Sequence, residues 1–199
     1  MLLIERLRQL EKEPARLAEE VHACWFRRRR SDGWTRGRAD HSHKSSPYFK
    51  PLQEFTCHEL EREVRLALND LRGIILATEM LYVASPFALP MRASEAAHML
   101  HALRRNRRFV VTAARLIHAG WRDINRSLAT NASDGRLGLP FDALRATDKR
   151  ITIANVQADI EAVANLLAGS ERRDQVVHSC PLSCIVAPAR FVACTRGAA

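Results

Sequence analysis

The sequence predicts an all-α fold, a helical bundle with an N-terminal amphipathic helical arm and an irregular C-terminal tail. Three observations predict it. Apolar residues recur at spacings of three and four through several long stretches. Capping residues and stop residues fall at the ends of those stretches. Strand-like alternation is scarce along the 199 residues.

The elements follow in order. Leu3, Leu7, Leu10, Leu17, Val21 and Cys24 form one apolar seam, with Pro14 in the missing seam position. A proline there removes an internal hydrogen bond, so residues 1–30 read as an arm made of two helices or one kinked helix. Residues 31–53 carry turn formers and almost no aliphatic side chain, and read as a basic flexible linker. A helical core over 54–179 opens with Thr56 and Glu59, which fit a capping box. Leu60, Val64, Leu68, Leu71 and Ile75 then share a face, and Pro86 ends the helix near Ala84. Gly73 inside it weakens the middle or lets a neighbour pack closely. A third helix is expected from a Ser94 cap to a Gly120 stop, on Met99, Leu100, Leu103, Val110, Ala113 and either Leu116 or Ile117. Residues 131–150 read as loop, and a last helix runs from about Thr152 to Gly169. The tail, 180–199, lacks acidic residues and has no evident element.

Composition bounds the function classes. The formal net charge is +9, carried almost wholly by arginine, since only four of the 31 basic residues are lysine. Long-range attraction to polyanions follows from such a charge, as does the plainer reading of a G- and C-rich coding sequence. Five cysteines (Cys24, Cys57, Cys180, Cys184 and Cys194) are odd in number and scattered, which suits free thiols in the cytoplasm. The longest stretch without lysine or arginine, Gly73 to Met91, holds Glu79, Pro86 and Pro90, so no membrane span is expected. No P-loop, dinucleotide-binding glycine motif or nucleophile elbow is present. Asp159 and Glu161 read as solvated charges on a helix surface.

Basic clusters single out two stretches and a pair. Arg27, Arg28, Arg29 and Arg30 lead into the linker, where Trp34 is available to stack on a base. Arg104, Arg105, Arg107 and Arg108 cover most of a helix circumference in the middle of the third helix, more than a solvated face needs. Arg172 and Arg173 make the pair. The histidines and cysteines around His178, Cys180 and Cys184, or around His41, His43 and Cys57, lack the paired spacing of structural zinc sites, so neither metal nor cofactor is expected. Residues 110–129, with Gly120 as a turn and Arg122, Asn125 and Arg126 beyond it, offer a helix-turn-helix of weak pattern.

Arg173-Asp174-Gln175-Val176-Val177-His178 resembles the Arg-polar-x-x-x-His motif of the HEPN superfamily. That resemblance implies an all-helical domain with metal-independent ribonuclease chemistry, often across a homodimer. Arg173 would hold the phosphodiester, His178 would transfer protons and Asp174 would position the RNA. The expectation is therefore a nucleic-acid-associated protein, with RNA favoured over DNA. A DNA-binding regulator and a non-enzymatic helical scaffold are the alternatives.

Overall fold

Pro14 splits the N-terminal seam in two. In the computed structural model, α1 (Leu3–Leu10) ends before it and α2 (Pro14–Asp32) begins on it. At the first helical position a proline loses no hydrogen bond and its φ is already set for a helix. The structure describes residues 2–32, 51–82, 90–127 and 137–179, without the side chains of 26–32, 82, 125 and 170–179. All six seam residues are buried, and Trp25 joins them. The linker residues 33–50 and the tail residues 180–199 lie outside the described residues.

Helix α3 (Cys57–Tyr82) starts as its capping box requires: the Thr56 hydroxyl accepts from the Glu59 N–H at 3.3 Å, and Glu59 accepts from the Thr56 N–H at 2.8 Å. The expected third helix is two helices, α4 (Ala93–Leu103) and α5 (Arg107–Ser127). Asn106 explains the break. Its Oδ1 accepts from the Phe109 N–H at 3.1 Å, which makes Asn106 an N-cap and starts a new helix. The other end corrects two further expectations. Helix α4 begins at Ala93 rather than after Ser94, and α5 runs through Gly120 without a stop.

Helix α6 (Ala146–Ser179) is longer than expected at both ends. Before it, residues 137–144 lie along α5. Phe141 and Leu144 are buried there, Leu139 O meets His118 Nε2 at 2.9 Å, and Leu137 O accepts from Arg122 Nε at 3.2 Å. A short 3-10 turn, Phe141–Ala143, links this segment to α6. Gly169 does not end α6. A helical glycine costs about 1 kcal/mol relative to alanine, which a long packed helix absorbs.

One core joins all six helices: Leu7, Val21, Leu71, Leu100, Ile117 and Ile160, one from each helix, are fully buried in a single cluster. Helix α3 lies between α5 and α2, while α6 packs on α4, α2 and α5. Two glycines set the α3–α5 crossing. A Cβ on Gly73 would stand 2.4 Å from Ile117 Cγ1, and one on Gly120 would stand 1.6 Å from Asn69 Oδ1. Each helix thus presents a glycine to the other's side chain. The all-α expectation holds, with no strand among the described residues. No described helix is long and apolar enough to cross a membrane.

Candidate functional site

The arginine cluster sits at a corner between helices. Arg104 and Arg105 belong to the turn that closes α4, and Arg107 and Arg108 open α5 on the far side of the Asn106 cap. Phe109, fully buried, anchors the first turn of α5 and sets which way its neighbours face. The cluster therefore divides. Arg104 turns inward and its guanidinium pairs with Glu161 on α6, while its carbonyl accepts from Gln157 Nε2 at 3.1 Å. Arg105, Arg107 and Arg108 are exposed, and none has an ion pair or side-chain hydrogen bond among the described residues.

Much of the remaining described arginine is engaged within the fold. Arg8 pairs with Glu79 at 2.6 Å, Arg72 with Glu11 at 3.0 Å and Arg115 with Asp142 at 3.0 Å. Arg6 donates to Met91 O at 2.8 Å, and Arg122 donates to Leu137 O. These ties hold α1 to α3, α1 to the start of α4, and α5 to the segment before α6. Among the described residues, Arg105, Arg107 and Arg108 form a dense group of uncompensated cations at this corner.

The other sequence candidates fare differently. Arg27 to Arg30 ride on α2, and Arg172, Arg173, Asp174 and His178 ride on the last turns of α6, but all their side chains lie outside the described residues. The helix-turn-helix is corrected outright. Helix α5 is continuous from Arg107 to Ser127, so Gly120 makes no turn, and Arg122 is spent on carbonyl oxygens.

Asp159 corrects another expectation, for it is fully buried and accepts from Trp25 Nε1 at 2.7 Å. Asp70 on α3 has the same arrangement, accepting from Trp121 Nε1 at 2.6 Å and from Asn69 Nδ2 at 3.3 Å. A carboxylate inside a core is retained when hydrogen-bonded donors meet it. Both pairs tie helices together, α2 to α6 and α3 to α5. The signal was present in the sequence, because Asp159 falls on the same stripe as Val156 and Val163, and Asp70 on that of Leu66 and Ile74.

A cleft, which the sequence did not announce, opens beside α2. It encloses about 400 Å³ between α2, the turn at Pro51–Gln53 and α6, with Arg16, Glu19, Glu20, His22, Leu52 and Leu166 on its walls. His22 is buried and meets Phe55 edge to face at 4.9 Å. Among the described residues no group of three His, Cys, Asp or Glu side chains is placed to hold a metal. The described surface offers two features, a cationic corner and a small cleft of mixed polarity.

The RyR domain family matches residues 4–81, the stretch that carries α1, α2 and α3. That match, in place of one to the HEPN superfamily, overturns the resemblance drawn from Arg173 to His178. A six-residue pattern built on arginine recurs readily in an arginine-rich chain. No curated protein and no solved structure is significantly similar to the chain. Over α1 to α3, therefore, this chain is similar to the RyR domain.

Proposed function

We propose that the chain is a helical nucleic-acid-binding module that grips phosphates with Arg105, Arg107 and Arg108. The single observation behind this reading is the corner itself, three exposed and unpartnered guanidinium groups within four residues. A guanidinium suits phosphate because its planar fork bonds two oxygens at once. The net charge of +9 adds long-range attraction of the same sign. Phosphate contacts carry no base information, so this reading concerns affinity and not sequence preference. The contacts are to RNA or DNA backbone, in the cytoplasm, with no membrane step.

Salt dependence tests it. Three phosphate contacts correspond to a slope of roughly −2.7 in log affinity against log salt on duplex DNA, or about 40-fold between 50 and 200 mM salt. Binding of labelled duplex DNA and single-stranded RNA is measured by fluorescence anisotropy for the wild type and for Arg105→Gln/Arg107→Gln/Arg108→Gln. The triple variant should lose most of that slope while keeping its helical circular dichroism. Equal affinity and slope in the two proteins would overturn the reading, as would absence of wild-type binding at low salt.

A second reading, a non-enzymatic interaction protein, draws on Leu76 and Met80. These are 46% and 64% exposed and one turn apart on α3. Met80→Glu should change the association state under that reading and leave nucleic-acid affinity alone.

A further inference from the structure

We propose that Glu161 restrains the arginine corner by holding Arg104 in reserve, a fourth guanidinium that joins the other three once the Glu161 charge is removed. This inference rests on the phosphate-binding reading of the corner and names what regulates that site.

Arg104 is the residue on which α4 closes, next to Arg105 and just before the Asn106 cap. Its guanidinium is claimed from another helix by Glu161, and neither group has a second side-chain partner among the described residues. The backbone at Arg104 is held without that pair. Its N–H donates to Leu100 O at 2.8 Å, and its carbonyl accepts from Gln157 Nε2 at 3.1 Å. The side chain can therefore change partner while the end of α4 stays in place.

The pair lies at the surface, with the Arg104 side chain 34% exposed and that of Glu161 43%. Water and salt screen an ion pair in that setting, and it is favoured over its open form by about fivefold or less. A phosphate accepts a guanidinium fork as readily as a carboxylate does. What opposes the exchange is Glu161 itself, whose freed charge would stand close to the arriving phosphates and repel them. Removing that charge acts twice in one direction, for it releases a guanidinium and takes away a competing anion.

The fold does not require an arginine at this place. Helix α1 closes in the same manner on Glu11, which accepts from Arg72 Nε of α3 at 3.0 Å. There the closing residue is the acid and the long helix carries the base, the reverse of Arg104 and Glu161. Either polarity ties a short helix to a long one. The polarity used at α4 places one more arginine in the corner.

Binding of labelled duplex DNA, followed by fluorescence anisotropy on the full chain, tests this. Glu161→Gln should steepen the slope of log affinity against log salt by roughly 0.9, so that about 3.5-fold more affinity is lost between 50 and 200 mM salt than in the wild type. Glu161→Ala should do the same, and it leaves no amide to take the carboxylate's place beside Arg104. Arg104→Gln/Glu161→Gln has the wild-type net charge and should return to the wild-type slope. Glu11→Gln makes the same charge change as Glu161→Gln but frees Arg72, outside the corner, and should keep the wild-type slope. Helical circular dichroism should be unchanged in all four. A wild-type slope in both Glu161 variants would overturn the proposal while leaving the phosphate-binding reading intact. Equal steepening in Glu11→Gln, which net charge alone explains, would also overturn it, as would a slope still steep in the double variant. Absence of wild-type binding at low salt would remove the phosphate-binding reading and this inference together.

Discussion

Replacing Gly120 by alanine tests how α3 and α5 cross. On an isolated helix the change is favourable by about 1 kcal/mol, because alanine is the better helix former. In the fold the new Cβ would stand 1.6 Å from Asn69 Oδ1 and 2.5 Å from its Cγ, so the Asn69 amide must leave. That amide donates to Ile117 O at 3.1 Å and to Asp70 Oδ1 at 3.3 Å. Losing a neutral hydrogen bond costs about 1 kcal/mol and losing one to a charged acceptor about 2 kcal/mol. The difference leaves Gly120→Ala destabilised by about 2 kcal/mol, a fall in melting temperature of roughly 4–8 °C for a chain of this size. The stronger statement concerns the pair. In an Asn69→Ala background those hydrogen bonds are already gone and the space is free. There Gly120→Ala should stabilise by about 1 kcal/mol, giving a coupling of about 3 kcal/mol in the double-mutant cycle. Thermal and urea unfolding of the four proteins, followed by circular dichroism, reads this directly. Additive effects, or a single Gly120→Ala as stable as wild type, would refute the crossing described here.

Two further substitutions probe the same core. Gly73→Ala should destabilise by more than about 2 kcal/mol, since Ile117 Cγ1 would stand 2.4 Å from the new Cβ and the Ile117 backbone N, which cannot rotate away, 3.3 Å from it; urea unfolding measures this, and a neutral result would contradict the close approach. Trp25→Phe keeps most of the ring's burial but takes the indole donor from the fully buried Asp159, so a loss of about 2–3 kcal/mol is expected, with Asp159→Asn in the Trp25→Phe background partly restoring stability because a neutral amide tolerates burial better.

The helical class was legible because it is written in periodicity, and periodicity survives in a single sequence. The two N-terminal helices were legible for the same reason, aided by a proline whose chemistry has few outcomes. The Thr56 and Glu59 box was legible because both partners are local. The failures share a cause. Asn106 caps α5 in the midst of a run that reads as continuous helix, and a polar residue among arginines carries no mark distinguishing a cap from a solvated face. Gly120 and Gly169 resemble stops, yet one is demanded by Asn69 across the interface and the other is merely tolerated. Asp159 shares the apolar stripe of Val156 and Val163, but Trp25, the donor that lets it be buried there, is distant in sequence. Half of the arginine cluster's meaning was hidden in the same way, for nothing near Arg104 reveals that Glu161 will claim it and leave its three neighbours free. The cleft left no trace at all, since its walls come from three separate stretches of chain.

That pattern bears on how far the likeness to the RyR domain reaches. Residues 4–81 contain all but the end residues of α1 to α3, but several of their polar groups are completed from outside that stretch. Trp25 finds Asp159, Asp70 is met by Trp121, Asn69 donates to Ile117 O and Arg6 donates to Met91 O. Gly73 is shaped to Ile117 as well. Cutting the chain after α3 would strand two buried tryptophan–aspartate pairs and open the apolar faces of α2 and α3, so the first three helices and the last three share one cooperative core in this chain. The two candidate surfaces divide differently. The cleft, apart from Leu166, is built from residues within 4–81, whereas the arginine corner lies wholly beyond them. A property tied to the RyR-like helices would therefore be sought at the cleft, and the phosphate binding proposed for the corner would belong to what α4 and α5 add.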